Sequence, residues 1–236
     1  MPAERRYWAV IPAAGAGTRM GTDVPKQYLK MGGKCVLEHV LEKFCRHPRL
    51  EKIVVALAKN DLHWRTLEIA SHPRIVTVEG GVERCHSVLN GLRALNGAAQ
   101  ADDWVLVHDA ARPCVRREDI DHLLVSLADH PVGGILAIPV RDTMKRGGKE
   151  QEIRETVDRS GLWHALTPQM FRLALLREAM EKALQEERLV TDEAQALELT
   201  GRRPLLVQGH GDNIKVTRPE DLPLAEFFIS QQETTA

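Results

Sequence analysis

Neither sign of charge prevails in this sequence. Its 32 Lys and Arg face 33 Asp and Glu, a formal net charge of −1. This argues against general nucleic-acid binding through a basic surface. Cysteine is scarce: Cys35, Cys45, Cys85 and Cys114 form no C-x-x-C pair and no His-assisted zinc spacing. Reduced, mostly buried thiols are therefore expected. Long apolar runs are missing too. Met1–Arg6 is polar, and the apolar run after it is broken by Pro12 and the glycines, so no membrane span or signal peptide is read. A cytoplasmic protein is the expectation. No Walker A sequence occurs. The dinucleotide fingerprint G-x-G-x-x-G is broken, because its third glycine position holds Met20. An acidic residue for a ribose is also missing where a second strand would end, which disfavours a nicotinamide oxidoreductase.

What is present starts with one loop. The apolar run Tyr7–Ile11 reads as a buried strand and leads into Pro12–Met20, where Gly15 and Gly17 let the backbone turn and approach a ligand. Successive N–H groups in such a loop form a concave anion site. Arg19 adds a planar cation suited to phosphate, and Lys26 follows directly after Pro25. An ordinary strand-to-helix turn needs only the glycines; the two cations point to a polyphosphate.

With 236 residues, 43% of them apolar, the chain is long enough for one large domain with a sizeable core. Strands and helices alternate along it. Val36, Leu37, Val40, Leu41 and Phe44 recur at helical spacing, as do Cys85, Val88, Leu89, Leu92 and Leu95. Further helices are expected over 61–70, 118–127, 171–189, 193–199 and 219–229. Thr191 is read as a cap for the fourth of these, and Thr217 or Arg218 for the last. Strands are expected over 53–57, 75–78, 104–107, 134–140, 205–207 and 212–216. Repeated strand–helix units predict an α/β fold with a doubly wound, mostly parallel sheet and helices on both faces. The charged stretch Arg141–Arg159, with Gly147-Gly148 in its middle, breaks the pattern. It reads as a two-stranded hairpin arm or a disordered loop. An isolated hairpin is marginal in water, so an ordered arm must pack on something, and a second copy of the chain is the obvious candidate.

Ligands of such sheets bind outside the carboxyl ends of the strands. The Gly15–Lys26 loop, Gly80-Gly81, Asp109 and the 212–215 stretch all fall at that edge. Asp109 ends a buried strand; it serves either as a hard-metal carboxylate or as a cap or partner of Arg112. Ser87, on the first turn after Gly80-Gly81, caps its helix or touches a nucleotide. Lys215 within a strand either pairs with Asp212 or Asp109 or faces a phosphate, because lysine is rarely buried unpaired. His108 reads as a packed strand residue rather than a base, and the other nine histidines show no ligand spacing.

Eight segments taken together are far more specific than any one of them. They are P-A-A-G-A-G-T-R-M, V-P-K-Q-Y, G-G-V-E-R, L-V-H-D-A-A-R-P, P-V-R-D-T-M-K, T-V-D-R-S-G-L-W-H-A-L-T-P-Q, V-T-D-E-A and D-N-I-K-V-T. In this order, from Val10 to Glu226, the chain resembles the 2-C-methyl-D-erythritol 4-phosphate cytidylyltransferases of the non-mevalonate isoprenoid pathway. The resemblance implies a Rossmann-like nucleotidyltransferase fold with a protruding β-hairpin arm. It also implies a single domain over 1–236, with the arm over about 141–159 serving dimerisation. The implied activity is transfer of a cytidylyl group from CTP to methylerythritol phosphate, with release of pyrophosphate and a divalent metal, usually magnesium.

Carried over by position, the resemblance assigns Ala13, Ala14, Gly15 and Gly17 to backbone contacts with CTP. Arg19 and Lys26 bind the triphosphate and stabilise the transition state, and Gly81 and Ser87 contact the cytosine and ribose side. Asp109 holds the metal and Arg112 sits beside the polyol. Lys215 bridges the α-phosphate and the incoming phosphate. Thr143, Arg159 and Thr167 grip methylerythritol phosphate, with Thr143 and Arg159 reaching in from the partner of a homodimer that shares its sites. Val82 departs from the pattern, since Asp is expected after Gly80-Gly81. Two rival readings stand beside this one: the same chemistry on another polyol phosphate such as ribitol 5-phosphate, and a non-enzymatic nucleotide-sensing module. The residue types suit the transfer. A phosphate-monoester oxygen, with a second pKa near 6, needs no general base at neutral pH. Positioning and cations are what the reaction requires.

Overall fold

The computed structural model describes residues 5–15 and 24–235. Gly17 and Arg19, expected to touch the nucleotide, lie outside the described residues. The elements follow the predicted alternation. Strand β1 (Tyr7–Pro12) is followed by the short β2 (Lys30–Met31) and β3 (Lys34–Cys35), then α1 (Val36–Arg46), β4 (Leu50–Leu57), β5 (Ile75–Glu79) and α2 (Arg84–Ala94). Next come β6 (Trp104–Val107), α3 (Arg117–Ser126), β7 (Gly133–Pro139), β8 (Met144–Gly147), β9 (Ile153–Val157) and β10 (Trp163–Arg172). The chain closes with α4 (Leu173–Gln185), α5 (Glu193–Leu199), β11 (Leu205–Gln208) and α6 (Asp221–Thr235).

Seven strands form one sheet in the order β11-β7-β10-β6-β1-β4-β5. All neighbours run parallel except β10, which is antiparallel to both β6 and β7. Side chains alternate across the sheet as the period of two requires. Tyr7, Ala9 and Ile11 point to the face covered by α1 and α3, where Leu37, Phe44, Ile120 and Leu124 pack. Trp8 and Val10 point to the opposite face, under Val88 and Leu92 of α2 and Leu176 and Met180 of α4. Helix α6 closes a smaller cluster in which Ala225 and Ile229 meet Met31, Cys114 and Val216. All four cysteines are buried free thiols.

Several expectations are corrected. Residues 61–70 hold only short 3-10 turns, Trp64–Thr66 and Glu68–Ser71, not a helix. Phe171 and Arg172 do not open a helix. They end β10, a ten-residue interior strand of the sheet, and α4 starts at Leu173. The pairing of β10 with β7 lapses between Ala165 and Gln169, around Pro168, which has no N–H to give a ladder. The α5 cap is Asp192, whose side chain accepts from the Gln195 amide. Thr191 instead donates its N–H and hydroxyl to Gln195 Oε1. Residues 212–216 form no strand; Val216 N–H bonds only the Ala111 carbonyl, in an irregular crossing.

The 141–159 stretch is an ordered antiparallel hairpin, with Met144 opposite Val157 and Lys145 opposite Thr156. Its strands belong to a sheet of their own and are almost wholly exposed. Ile153 is 67% exposed. No helix among the described residues is long and apolar enough to cross a membrane.

Candidate active site

A cavity of about 400 Å³ opens at the carboxyl ends of β1, β5 and β6. Its lining includes Ala13, Ala14, Gly15, Lys26, Gly81, Ser87, Asp109 and Lys215, so eight of the predicted site residues meet in one place. The glycine-containing loop is held from beneath. Gln27, buried, donates through Nε2 to the carbonyls of Ala13 at 2.7 Å and Gly15 at 3.0 Å. The Ala13 N–H is taken as well, by the Ala56 carbonyl at 2.8 Å, so both backbone groups of Ala13 are engaged within the fold.

The second wall is the turn after β5. Gly80 N–H bonds the Leu57 carbonyl at 2.7 Å. A Cβ on Gly80 would lie 2.5 Å from the Ala14 side chain and 2.9 Å from Ser87 Oγ, so only glycine lets the two loops come this close. Ser87 is buried, and its Oγ accepts the Gly81 N–H at 3.0 Å. It therefore shapes the Gly81 turn from behind. Val82, which stands where Asp was expected, is on the cavity rim and 95% exposed.

Asp109 is the electrostatic centre. Its Oδ1 accepts from Arg84 Nε at 2.9 Å, and Oδ2 lies 2.8 Å from Lys215 Nζ and 3.6 Å from Arg112 Nε. Burial alone would push this carboxyl up. Arg84 and Lys215, followed by Arg112, outweigh that and hold it well below the usual carboxylate range. Lys215 is thus paired with Asp109, not with Asp212, whose carboxylate is taken by Arg116 at 2.7 Å. The segment carrying Lys215 is stitched down by its neighbours. Asn213 Nδ2 donates to the Thr167 carbonyl, and the Asn213 carbonyl accepts from Arg112 Nη1 at 2.7 Å.

Thr167 and His108 sit under this centre, both buried. Thr167 Oγ1 accepts the Asp109 N–H at 3.1 Å and lies 3.0 Å from His108 Nδ1. His108 Nε2 lies 3.0 Å from the Arg112 carbonyl, which can only accept, so Nε2 carries the proton and Nδ1 accepts from the threonine. Burial pushes the imidazole down to about 4. His108 is a neutral strut, as expected, and not a base. Thr167 has already committed its proton, so its hydroxyl is left only as an acceptor. Thr143 and Arg159 are on the exposed arm and do not line their own chain's cavity. Arg159 Nη1 donates to the Arg141 carbonyl at the arm's base.

Three participants escaped the sequence reading. Arg84 binds Asp109, Glu193 binds Arg84 through both oxygens at 2.7 and 3.2 Å, and Gln27 holds the loop. All three lie within the segments that carry the resemblance, but nothing about their spacing names these partners. Glu193 follows Asp192 at a helix start, where acidic residues are common for dipole reasons alone.

Comparison with known proteins gives the family. Residues 7–231 match the family described as 2-C-methyl-D-erythritol 4-phosphate cytidylyltransferase (IspD). The chain belongs to that family. A member of that name from Pseudomonas fluorescens (strain SBW25) is 57% identical over 217 residues, 92% of each chain. One from Vibrio vulnificus (strain CMCP6) is 55% identical over 225 residues, 95% of each chain. The solved Francisella tularensis cytidylyltransferase superposes with a TM-score of 0.83 at 38% identity, covering 94% of this chain and 99% of that one. The fold is the α/β Rossmann-like nucleotidyltransferase fold of these relatives.

Proposed function

We propose that this chain transfers a cytidylyl group from CTP to 2-C-methyl-D-erythritol 4-phosphate in isoprenoid precursor biosynthesis. The products are 4-diphosphocytidyl-2-C-methyl-D-erythritol and pyrophosphate. The family membership of residues 7–231 carries this reading, and the cation-ringed carboxylate in the cavity supports it.

In the reaction a phosphate oxygen of methylerythritol phosphate forms a new bond to the α-phosphorus of CTP. The bond from that phosphorus to pyrophosphate breaks. No proton has to move, because the attacking phosphate is largely dianionic near neutral pH. A pocket without an imidazole base is adequate for such a step. Backbone groups of Ala14 and Gly15, with Gly17 by family resemblance, cradle the nucleotide over Ala13, whose own backbone groups are engaged within the fold, while Gly81, held by Ser87, faces its base and ribose. Lys26 and Arg19 steady the triphosphate as charge builds on the leaving pyrophosphate. Lys215 lies at Asp109 and reaches between the α-phosphate and the incoming phosphate once substrates enter. Arg112 sits next to the polyol, and Thr167 accepts a hydrogen bond from a substrate hydroxyl.

A divalent metal fits the site. Among the described residues no three His, Cys, Asp or Glu side chains cluster as a metal cage. Magnesium does not need one, since it takes one or two carboxylates plus substrate phosphates. Asp109, ionised and lining the cavity, is the residue that would hold it. Bound magnesium supplies charge neutralisation on the polyphosphate.

The arm completes the proposal. Thr143 and Arg159 are too exposed to serve a site alone, and Met144 and Ile153 leave apolar surface uncovered on the hairpin. The chain acts as a cytoplasmic homodimer of single-domain subunits in which each arm lends Thr143 and Arg159 to its partner's pocket. The functional test is pyrophosphate release with each nucleoside triphosphate, with and without methylerythritol phosphate, and with ribitol 5-phosphate as a rival acceptor. Release should need CTP, methylerythritol phosphate and a divalent metal together. Comparable turnover with UTP, ATP or ribitol 5-phosphate would refute the assignment.

A further inference from the structure

We infer that Glu193 and Arg84 are a positioning pair that orients the Asp109 carboxylate toward the cavity. The inference rests on the reading of Asp109 as the metal-holding carboxylate. Glu193 is the first residue of α5 and is 0% exposed. Its oxygens receive both terminal nitrogens of Arg84, the two-pronged geometry that suits guanidinium and carboxylate. Because the guanidinium is planar, fixing that edge also fixes where Nε points. It points at Asp109 Oδ1, 2.9 Å away.

The anchor is itself rigid. Gln169 on β10 is buried and grips the start of α5 on two sides. Its Oε1 accepts the Ala194 N–H at 2.9 Å, and its Nε2 donates to Asp192 Oδ2 at 3.0 Å. The same strand carries Thr167, whose hydroxyl oxygen accepts the Asp109 N–H. Both the backbone and the carboxylate of Asp109 are therefore referred to β10, one through Thr167 and the other through Gln169, Glu193 and Arg84.

The clamp separates the two carboxylate oxygens. With Oδ1 committed to Arg84, Oδ2 is the oxygen that faces Lys215 at 2.8 Å and Arg112 at 3.6 Å, and that an incoming cation would share with them. A carboxylate free to rotate would share both oxygens among three cations and present neither reliably. Stability alone is a poor reason for the arrangement, because burying a carboxylate against a mostly buried guanidinium gains little over apolar packing. Burial pushes the Glu193 carboxyl up against the pull of Arg84.

The variants Arg84→Lys and Glu193→Gln test this. The lysine keeps the charge but replaces the rigid fork of three nitrogens with a single one, so the direction toward Asp109 is no longer fixed by Glu193. The glutamine keeps the shape but loses one acceptor. CTP affinity is measured by calorimetry with saturating magnesium and again with a chelator. With magnesium, each variant should bind CTP about 10–100-fold more weakly than wild type, while the metal-free affinities stay within about threefold. kcat should fall by a similar factor with the KM for methylerythritol phosphate little changed. Variants that melt cooperatively and keep the magnesium-dependent gain overturn the inference. Loss of cooperative melting in both variants overturns it as well, since the pair then supports the fold and not the carboxylate. A wild type whose CTP affinity ignores magnesium removes the metal role of Asp109 itself, and the inference with it, even if cytidylyl transfer is observed.

Discussion

Lys215 Nζ lies 2.8 Å from Asp109 Oδ2, so the cation assigned to the substrate phosphates rests on the carboxylate assigned to the metal. The pairing explains how a lysine is stored in a half-buried cavity wall before substrate arrives. Phosphate oxygens offer Lys215 a stronger partner as negative charge develops. Lys215→Ala and Lys26→Ala should therefore act chiefly on kcat, lowering it roughly 10²–10³-fold, as loss of one preorganised donor does. Steady-state kinetics check this. A variant with intact kcat and only a raised KM would mark its residue as an anchor.

Asp109 answers to three cations at once, and its removal leaves Arg84, Arg112 and Lys215 facing one another. Asp109→Asn should raise the magnesium needed for half-maximal activity. It should also lower the melting temperature, because like charges lose their shared counterion. Magnesium titrations that overlay those of wild type would make Asp109 purely structural.

Gly80 is where the two nucleotide loops touch. A methyl there would sit 2.5 Å from the Ala14 side chain. Gly80→Ala should force the loops apart and raise the KM for CTP far more than that for methylerythritol phosphate. An unchanged KM for CTP would show that the loops yield without consequence.

His108 links pH to stability. Its folded-state pKa is pushed down by burial from 6.5 to about 4. Between those values the unfolded chain binds a proton that the folded chain refuses. Stability present above about pH 6.5 is therefore lost as pH falls toward 4. Urea unfolding at about pH 7.5 and about pH 5 should show a larger loss for wild type than for His108→Gln. Equal losses would show that other groups carry the pH dependence.

Much of this was legible in the sequence, and the reasons differ by element. Helices α1 and α2 announce themselves through apolar spacing, as with Val36, Leu37, Val40, Leu41 and Phe44. Strand β10 did not, because Thr167, Pro168 and Gln169 interrupt its apolar pattern while Phe171 and Leu173 mimic a helix start. Its interior place comes from pairing with β6 and β7, which are distant in sequence. Asp109 and Lys215 were found as odd residues at the edge of the predicted sheet. The bonds of Arg84 to Glu193, 109 residues away, have no local signature. Residues 212–216 resemble a strand in sequence because alternating side chains look alike in a strand and in an extended crossing.

The exposed arm makes a prediction about symmetry. Arg159 is away from its own chain's cavity, whereas Lys26 lines it. Lys26→Ala and Arg159→Ala homodimers should each be nearly inactive. Random co-assembly makes half the dimers mixed, each with one intact site, so roughly a quarter of wild-type activity should return. Differently tagged mutants, co-expressed and purified as the mixed species, decide it, and there about half of wild-type activity should remain. No recovery would place both residues in the same chain's site.

The most direct measurement is phosphorus NMR of the wild-type reaction with CTP, methylerythritol phosphate and magnesium. The phosphate-monoester signal of methylerythritol phosphate should vanish as two coupled diphosphate signals and free pyrophosphate grow in equal amounts. CTP converted to CDP and inorganic phosphate, or a monoester signal that persists while CTP is consumed, would contradict cytidylyl transfer.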